Sequence, residues 1–204
     1  MVKVKICGIT TLEDALVAVK AGADALGFVF HHSSPRHIFP EQAAAIIRQL
    51  PAFVQTVGLF VDEELATVNA TAHQCGLDLL QLHGDETPAY CDQVQRRVIK
   101  AFRVKDITSL ESTQNYRVSS ILLDAWSPIA HGGTGQTFNW EIAAQAAESG
   151  HLILAGGLTP ENVVEAIQQV HPFAVDVSSG VESSPGIKDV SKVVQFIFKA
   201  KHLQ

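Results

Sequence analysis

Eight short apolar runs recur along the chain, each followed by a stretch with helical spacing, and this alternation limits the fold more than any other feature. The runs cover residues 2–7, 25–30, 56–61, 79–83, 98–104, 120–126, 152–156 and 174–178, starting at intervals of roughly 18 to 32 residues, the spacing of βα units. After them, residues 11–21, 41–49, 64–75, 87–95, 107–115, 140–148, 160–170 and 190–200 can each carry an apolar stripe, with 107–115 the least regular. Thr10-Thr11 ahead of Glu13-Asp14, Pro40 before Glu41, and Thr159-Pro160-Glu161 are helix-start signals, and Gly22, Gly76 and Gly150 fall where helices should stop. Strict alternation implies parallel strands buried on both faces, which either a doubly wound open sheet or a closed barrel satisfies. Eight equal units favour closure, so the expectation is an α/β fold: a (β/α)8 TIM barrel with eight parallel strands, residues 1–204 forming one compact domain. The length of 204 residues sits at the lower end of the ~200 to >400 range of such barrels and leaves little room for insertions.

Composition narrows the partners. With 15 Lys plus Arg against 21 Asp plus Glu, the formal charge is −6, and no basic cluster appears. Nucleic acid and anionic membranes, which need a basic face, are therefore not expected partners. No apolar run approaches the roughly 18 residues of a membrane span, and residues 1–10 alternate charged and apolar side chains where a signal peptide would be uniformly apolar. A cytoplasmic location follows as an expectation. Cys7, Cys75 and Cys91 are widely spaced with no CxxC pair, so reduced thiols are expected in place of a disulfide framework or zinc site. His31, His32 and His37 cluster after the second run, but no carboxylate or cysteine accompanies them at ligand spacing, and no metal is expected.

Strand parity then sorts the polar residues. Active sites of these barrels collect at the C-terminal strand ends, and alternate side chains face the interior. In Lys3-Val4-Lys5-Ile6-Cys7, Val4 and Ile6 should face the helices, which turns Lys5 and Cys7 inward and sets a thiol at the mouth. The same logic turns Gln81 and His83 inward, ends the sixth strand on Asp124, and adds Asp176 and Ser178 from the eighth. Each has a plainer alternative: Cys7 as a small buried hydrophobe, the role assigned to Cys75 and Cys91, and Asp124 as an ion-pair partner of Lys5. A carboxylate closing three apolar residues should be partly desolvated, with a raised pKa suited to a general acid. Lys5, turned inward, needs a carboxylate, and Asp176 on the strand adjacent across the barrel seam is the expected partner.

Arg36 lies on a loop at the same end and can fork a carboxylate bidentately; alone it could equally be a solvated loop arginine. Two glycine turns, Leu154-Ala155-Gly156-Gly157-Leu158 and Asp176-Val177-Ser178-Ser179-Gly180-Val181-Glu182, follow the seventh and eighth strands, the usual phosphate cradle of such barrels, although ordinary tight turns would read alike. Gly156, Gly157, Ser179 and Gly180 are the expected phosphate contacts. Gly132-Gly133-Thr134-Gly135 reads as a lid beside the acid and lacks the lysine of a Walker loop.

Taken in order, Lys5-Ile6-Cys7-Gly8-Ile9-Thr10, Ser34-Pro35-Arg36, Gln81-Leu82-His83-Gly84, Leu123-Asp124, Gly132-Gly133-Thr134-Gly135, Ala155-Gly156-Gly157-Leu158 and Asp176-Val177-Ser178-Ser179-Gly180-Val181-Glu182 closely resemble the phosphoribosylanthranilate isomerase family across essentially the whole chain. The resemblance implies a cofactor-independent Amadori rearrangement of N-(5-phosphoribosyl)anthranilate to 1-(2-carboxyphenylamino)-1-deoxyribulose 5-phosphate in tryptophan biosynthesis. It implies Asp124 as general acid, Cys7 as general base, Arg36 on the anthranilate carboxylate, and Gln81, His83 and Asp176 around the sugar. A thiol used as a base at neutral pH should have a lowered pKa, with Lys5 the expected cause. Gln136 and Asn139 stand where the family commonly shows a basic residue and an aspartate, which puts lid contacts in question and leaves the chemistry intact. A ribulose-phosphate epimerase would want metal-binding His and Asp at the strand ends and an indole-glycerol-phosphate synthase a Lys/Glu pair; neither set is evident. A barrel that only binds a sugar phosphate remains the alternative outside enzymes. A homodimer, or association with other tryptophan-pathway enzymes, stays open. A histidine-pathway substrate with two phosphates would need a second anion cradle, which the sequence does not offer.

Overall fold

The structure is a computed structural model and describes residues 1–104, 108–125, 140–147 and 150–202. Eight strands, β1 (Lys3–Cys7), β2 (Ala25–Val29), β3 (Gln55–Phe60), β4 (Leu79–Leu82), β5 (Arg97–Val104), β6 (Ser120–Ala125), β7 (Leu152–Ala155) and β8 (Ala174–Val177), close in sequence order into a parallel barrel. The seam joins β8 to β1, with Lys5 opposite Asp176 in the register. Around it run α1 (Leu12–Ala21), α2 (Pro40–Ile47), α3 (Leu65–Cys75), α4 (Pro88–Cys91), α5 (Thr108–Glu111), α6 (Trp140–Ala147), α7 (Val163–Val170) and α8 (Val190–Lys201). Among the described residues no helix is long and apolar enough to cross a membrane.

Period-two alternation divides the apolar side chains between two layers. Leu123, Leu154 and Val175 join the large cluster between sheet and helices, whereas their neighbours Leu122, Ile153 and Ala174 join Val57, Ile99 and Ala101 inside the barrel. That inner plug fills the lower barrel, so polar side chains nearer the C-terminal strand ends sit on an apolar floor. Helix starts follow the local chemistry: Thr11 Oγ1 accepts from the Asp14 amide at 3.1 Å, and Thr87 Oγ1 from the Tyr90 amide at 3.2 Å. Gly22, at φ 102°, ends α1 in the left-handed conformation that glycine adopts without steric cost.

Three segments depart from the expected spans. The helix expected over 87–95 stops at Cys91, because the Gln95 amide donates to Asn69 Oδ1 at 3.0 Å and Arg96 Nε to the Leu77 carbonyl at 3.0 Å, drawing the chain off the helix axis. The helix expected from residue 160 begins at Val163, since Thr159 and Asn162 first close a turn, the Thr159 amide donating to Asn162 Oδ1 at 2.8 Å. Between β8 and α8 a small antiparallel hairpin, β9 (Glu182–Ser184) and β10 (Ile187–Lys188), replaces the simple loop.

Candidate active site

A cavity of about 440 Å³ opens at the C-terminal end of the barrel, and the acid, base, substrate and phosphate residues put forward from the sequence (Cys7, Asp124, Arg36, Gln81, His83, Asp176 and the glycine-turn residues) line it. On the seam side, Lys5 Nζ donates to Asp176 Oδ1 at 2.9 Å, with side chains only 4% and 9% exposed. The expected pairing is therefore present, and Lys5 is not the partner of Asp124. Gly27 makes room for this group: a Cβ there would lie 2.8 Å from Cys7 Sγ and 3.1 Å from Lys5 Nζ. Burial pulls the Lys5 ammonium down, but Asp176 and, after it, Cys7 together outweigh burial and leave Lys5 above its ordinary value. Cys7 departs from expectation. Burial pushes its thiol above the ordinary 9.0, while Lys5 and Lys188 pull it down and Asp176 pushes it up. The lowering attributed to Lys5 acts in the expected direction but is outweighed by desolvation.

Across the cavity, the Gln81 side-chain amide donates to His83 Nδ1 at 2.9 Å, and His83 Nε2 lies 3.2 Å from Asp124 Oδ2. With Nδ1 accepting, the ring hydrogen sits on Nε2 and points at the carboxylate. Asp124 keeps 34% of its side-chain exposure, so it faces the cavity more openly than the sequence implied. Two buried polar atoms have no partner among the described residues, Gln81 Oε1 and Ser178 Oγ, and both residues line the cavity. Such atoms are costly to bury unless something satisfies them.

Behind His83, a buried pair unnoticed in the sequence fixes the end of β4. Lys100 Nζ bonds Glu86 Oε2 at 3.0 Å and the Gly84 carbonyl at 2.7 Å, while the Gly84 amide donates to Glu86 Oε2 at 3.0 Å. Lys100 is flanked by Val98, Ile99, Ala101 and Phe102, and that apolar setting is the sequence signal it gives.

Arg36 is held from two sides. Its stem crosses Gly8, where a Cβ would stand 2.7 Å from Arg36 Cδ. Its guanidinium forks Glu182, Nε to Oε1 at 2.8 Å and Nη2 to Oε2 at 2.7 Å. Glu182 and its second partner, Lys188, were missed from the sequence. Burial pushes the Glu182 carboxyl up, but its bonds to Arg36 and Lys188 prevail and hold it below 4.5.

The two glycine turns meet. Gly156 and Gly157 have φ of 84° and 63°, and a Cβ on Gly180 would collide with the Leu158 carbonyl oxygen, so the turns after β7 and β8 pack backbone to backbone. Ser179 and Gly180 lie in the single 3-10 turn that follows β8. The expected lid at 132–135, with Gln136 and Asn139, lies outside the described residues. His32 and His37 pack ring to ring at 4.4 Å, and His37 meets Phe39 edge-on at 4.9 Å.

The sequence model of the N-(5'-phosphoribosyl)anthranilate (PRA) isomerase family matches residues 4–199. The N-(5'-phosphoribosyl)anthranilate isomerase of Geobacter sulfurreducens is 69% identical over 201 residues, covering 98% of this chain and 99% of that relative. A crystal structure of the Thermotoga maritima isomerase superposes with a TM-score of 0.93 at 48% identity, and monomers generated from that dimeric enzyme with 0.90 at 45%, each pair of chains fully covered. A phosphoribosylanthranilate isomerase in complex with reduced 1-(o-carboxyphenylamino)-1-deoxyribulose 5-phosphate gives 0.90 at 47% identity, again over both whole chains.

Proposed function

Because this chain belongs to the N-(5'-phosphoribosyl)anthranilate isomerase family, isomerases of tryptophan biosynthesis, we propose that Cys7 and Asp124 carry the rearrangement as base and acid. The observation that supports this most directly is that both line one cavity with Arg36 and the two glycine turns. Asp124 delivers a proton to the furanose ring oxygen. The C1–O bond then breaks, and the nitrogen lone pair forms an iminium at C1. Cys7, as thiolate, takes the C2 proton, and the released pair makes the C1–C2 double bond of an enolamine and neutralises the nitrogen. Protonation at C1 and loss of the enol proton give the ketone. Atoms and electrons balance within the substrate, so no step calls for a cofactor.

The free thiol lies above its ordinary value through burial, so the base is completed by the substrate: the iminium charge adds to Lys5 and Lys188 in favouring the thiolate. Arg36 takes the anthranilate carboxylate, and Gly156, Gly157, Ser179 and Gly180 take the phosphate through backbone amides. Gln81, His83 and Asp176 take the sugar hydroxyls, which would satisfy Gln81 Oε1. His83, donating from Nε2 and held by Gln81 at Nδ1, fixes the Asp124 carboxyl toward the cavity. The test is loss of anthranilate-type fluorescence with phosphoribosylanthranilate generated in situ. Cys7→Ala and Asp124→Asn should each lower kcat by on the order of 10² to 10⁴. Wild-type turnover in either variant would remove that residue from its role.

A cytoplasmic homodimer is the assembly that fits best. Phe53, 99% exposed, stands beside an N-terminal-face cavity of about 520 Å³ that also takes in Phe173, a geometry suited to a self-complementary contact. Sedimentation equilibrium should show a dimer for the wild type and a monomer for Phe53→Glu; a monomeric wild type would refute the assignment.

A further inference from the structure

Glu182 takes no part in the chemistry proposed above, yet it is the most heavily engaged carboxylate in the site. It receives two bonds from Arg36 and a third from Lys188 Nζ, at 2.9 Å to Oε1. The Lys188 ammonium is fully buried and spends its other donors on the carbonyls of Cys7, at 2.6 Å, and Ser178, at 3.3 Å. Three acceptors thus match the three donors of an ammonium. Arg36 and Glu182 alone would cancel, and a neutral pair exerts little pull on an anion. Lys188 restores one net positive charge to the cluster. Arg36 still has its Nη1 donors uncommitted to Glu182, and 22% of its side chain remains exposed on the cavity. Lys188 has no exposed surface, so its charge reaches a ligand only through this cluster.

We infer that Glu182 and Lys188 are the positioning and specificity pair of this site: the hairpin that carries them fixes the plane of Arg36 and leaves the cluster with one net positive charge, selecting arylamine substrates that bear a carboxylate. The inference rests on Arg36 being the carboxylate contact, and the experiment separates the two. Calorimetric titration would compare two stable probes, reduced 1-(o-carboxyphenylamino)-1-deoxyribulose 5-phosphate and the same compound without its carboxylate. Arg36→Met should weaken the first by about a hundredfold while moving the second by no more than about twofold. Glu182→Asp, which keeps the charge but withdraws the fork from Arg36, and Lys188→Met, which removes the net charge, should each lower the preference for the carboxylated probe by about tenfold. A purely structural role would instead reduce the fraction of competent protein and leave the ratio of the two affinities unchanged. If Arg36→Met lowers the preference and neither Glu182→Asp nor Lys188→Met does, the positioning role is overturned; if Arg36→Met leaves it unchanged, the carboxylate assignment itself falls. Should Lys188→Met not fold, Glu182→Asp alone must still lower the ratio for the inference to stand.

Discussion

The Lys5–Asp176 pair offers a direct energetic test. The two groups are 2.9 Å apart with side chains 4% and 9% exposed, and removing one partner of such a buried pair typically costs ~3 to 5 kcal/mol, because the other charge is left uncompensated. Asp176 borders the cavity, where water can reach it, so Lys5→Met should fall at the lower end, about 3 kcal/mol. For a chain of this size that corresponds to a fall in Tm of roughly 6 to 12 °C. Asp176→Asn, which strands the lysine instead, should cost about as much. In the double variant neither charge is left alone, so its loss should be smaller than the combined single losses by about 2 to 3 kcal/mol. Urea and thermal unfolding near neutral pH, followed by far-UV circular dichroism, would measure the cycle. Additivity within about 0.5 kcal/mol would show that the pair is not coupled and that the reasoning from its burial is wrong.

Three further outcomes are expected. In a Cys75→Ala, Cys91→Ala background, iodoacetamide should modify Cys7 more slowly than a free thiol near neutral pH, more slowly again in Lys5→Met, and faster in Asp176→Asn; faster modification in Lys5→Met would contradict the charge arrangement. Burial raises Cys7, Cys91 and Cys75 above 9.0, the last to about 11, so the native state holds these protons longer than the unfolded chain. Their contribution is intact below pH 9.0 and is lost as pH rises through the folded values, so Cys75→Ala should flatten the fall in stability between pH 9 and 11, measured by urea unfolding. Gly180→Ala should drive the two glycine turns apart, costing about 1 to 3 kcal/mol and raising KM about tenfold through the phosphate; unchanged stability and KM would refute the close contact with Leu158.

The barrel was legible because its signal is repeated and local: each strand is a short apolar run, and the observed strands start within one residue of those expected. Parity alone turned Lys5, Cys7, Gln81 and Asp124 to the correct side, since one residue decides the face of a strand. Features set by distant contacts were not legible. Nothing near Gln95 says that Asn69 will take its amide and end α4, and nothing near Arg36 points to a carboxylate 146 residues away. The β9–β10 hairpin pairs so few residues that no alternating pattern could build up. The thiol of Cys7 was misjudged for a different reason: the sequence shows which charges are close but not how completely the barrel removes water from them.

Barrel closure at the β8–β1 seam also sets when the site comes into being during synthesis. Cys7 is bound to Lys188 across 181 residues of chain, and Lys5 to Asp176 across 171. At translation rates of ~5 to 20 residues per second, Cys7 waits roughly 10 to 35 s before the groups that surround it exist. Through that interval it is an ordinary thiol open to oxidants and electrophiles. Only the last ring-closing contact, which is also the one with the largest loop entropy, both shields it and turns it into the candidate base. The candidate site is thus complete only once β8 has closed on β1.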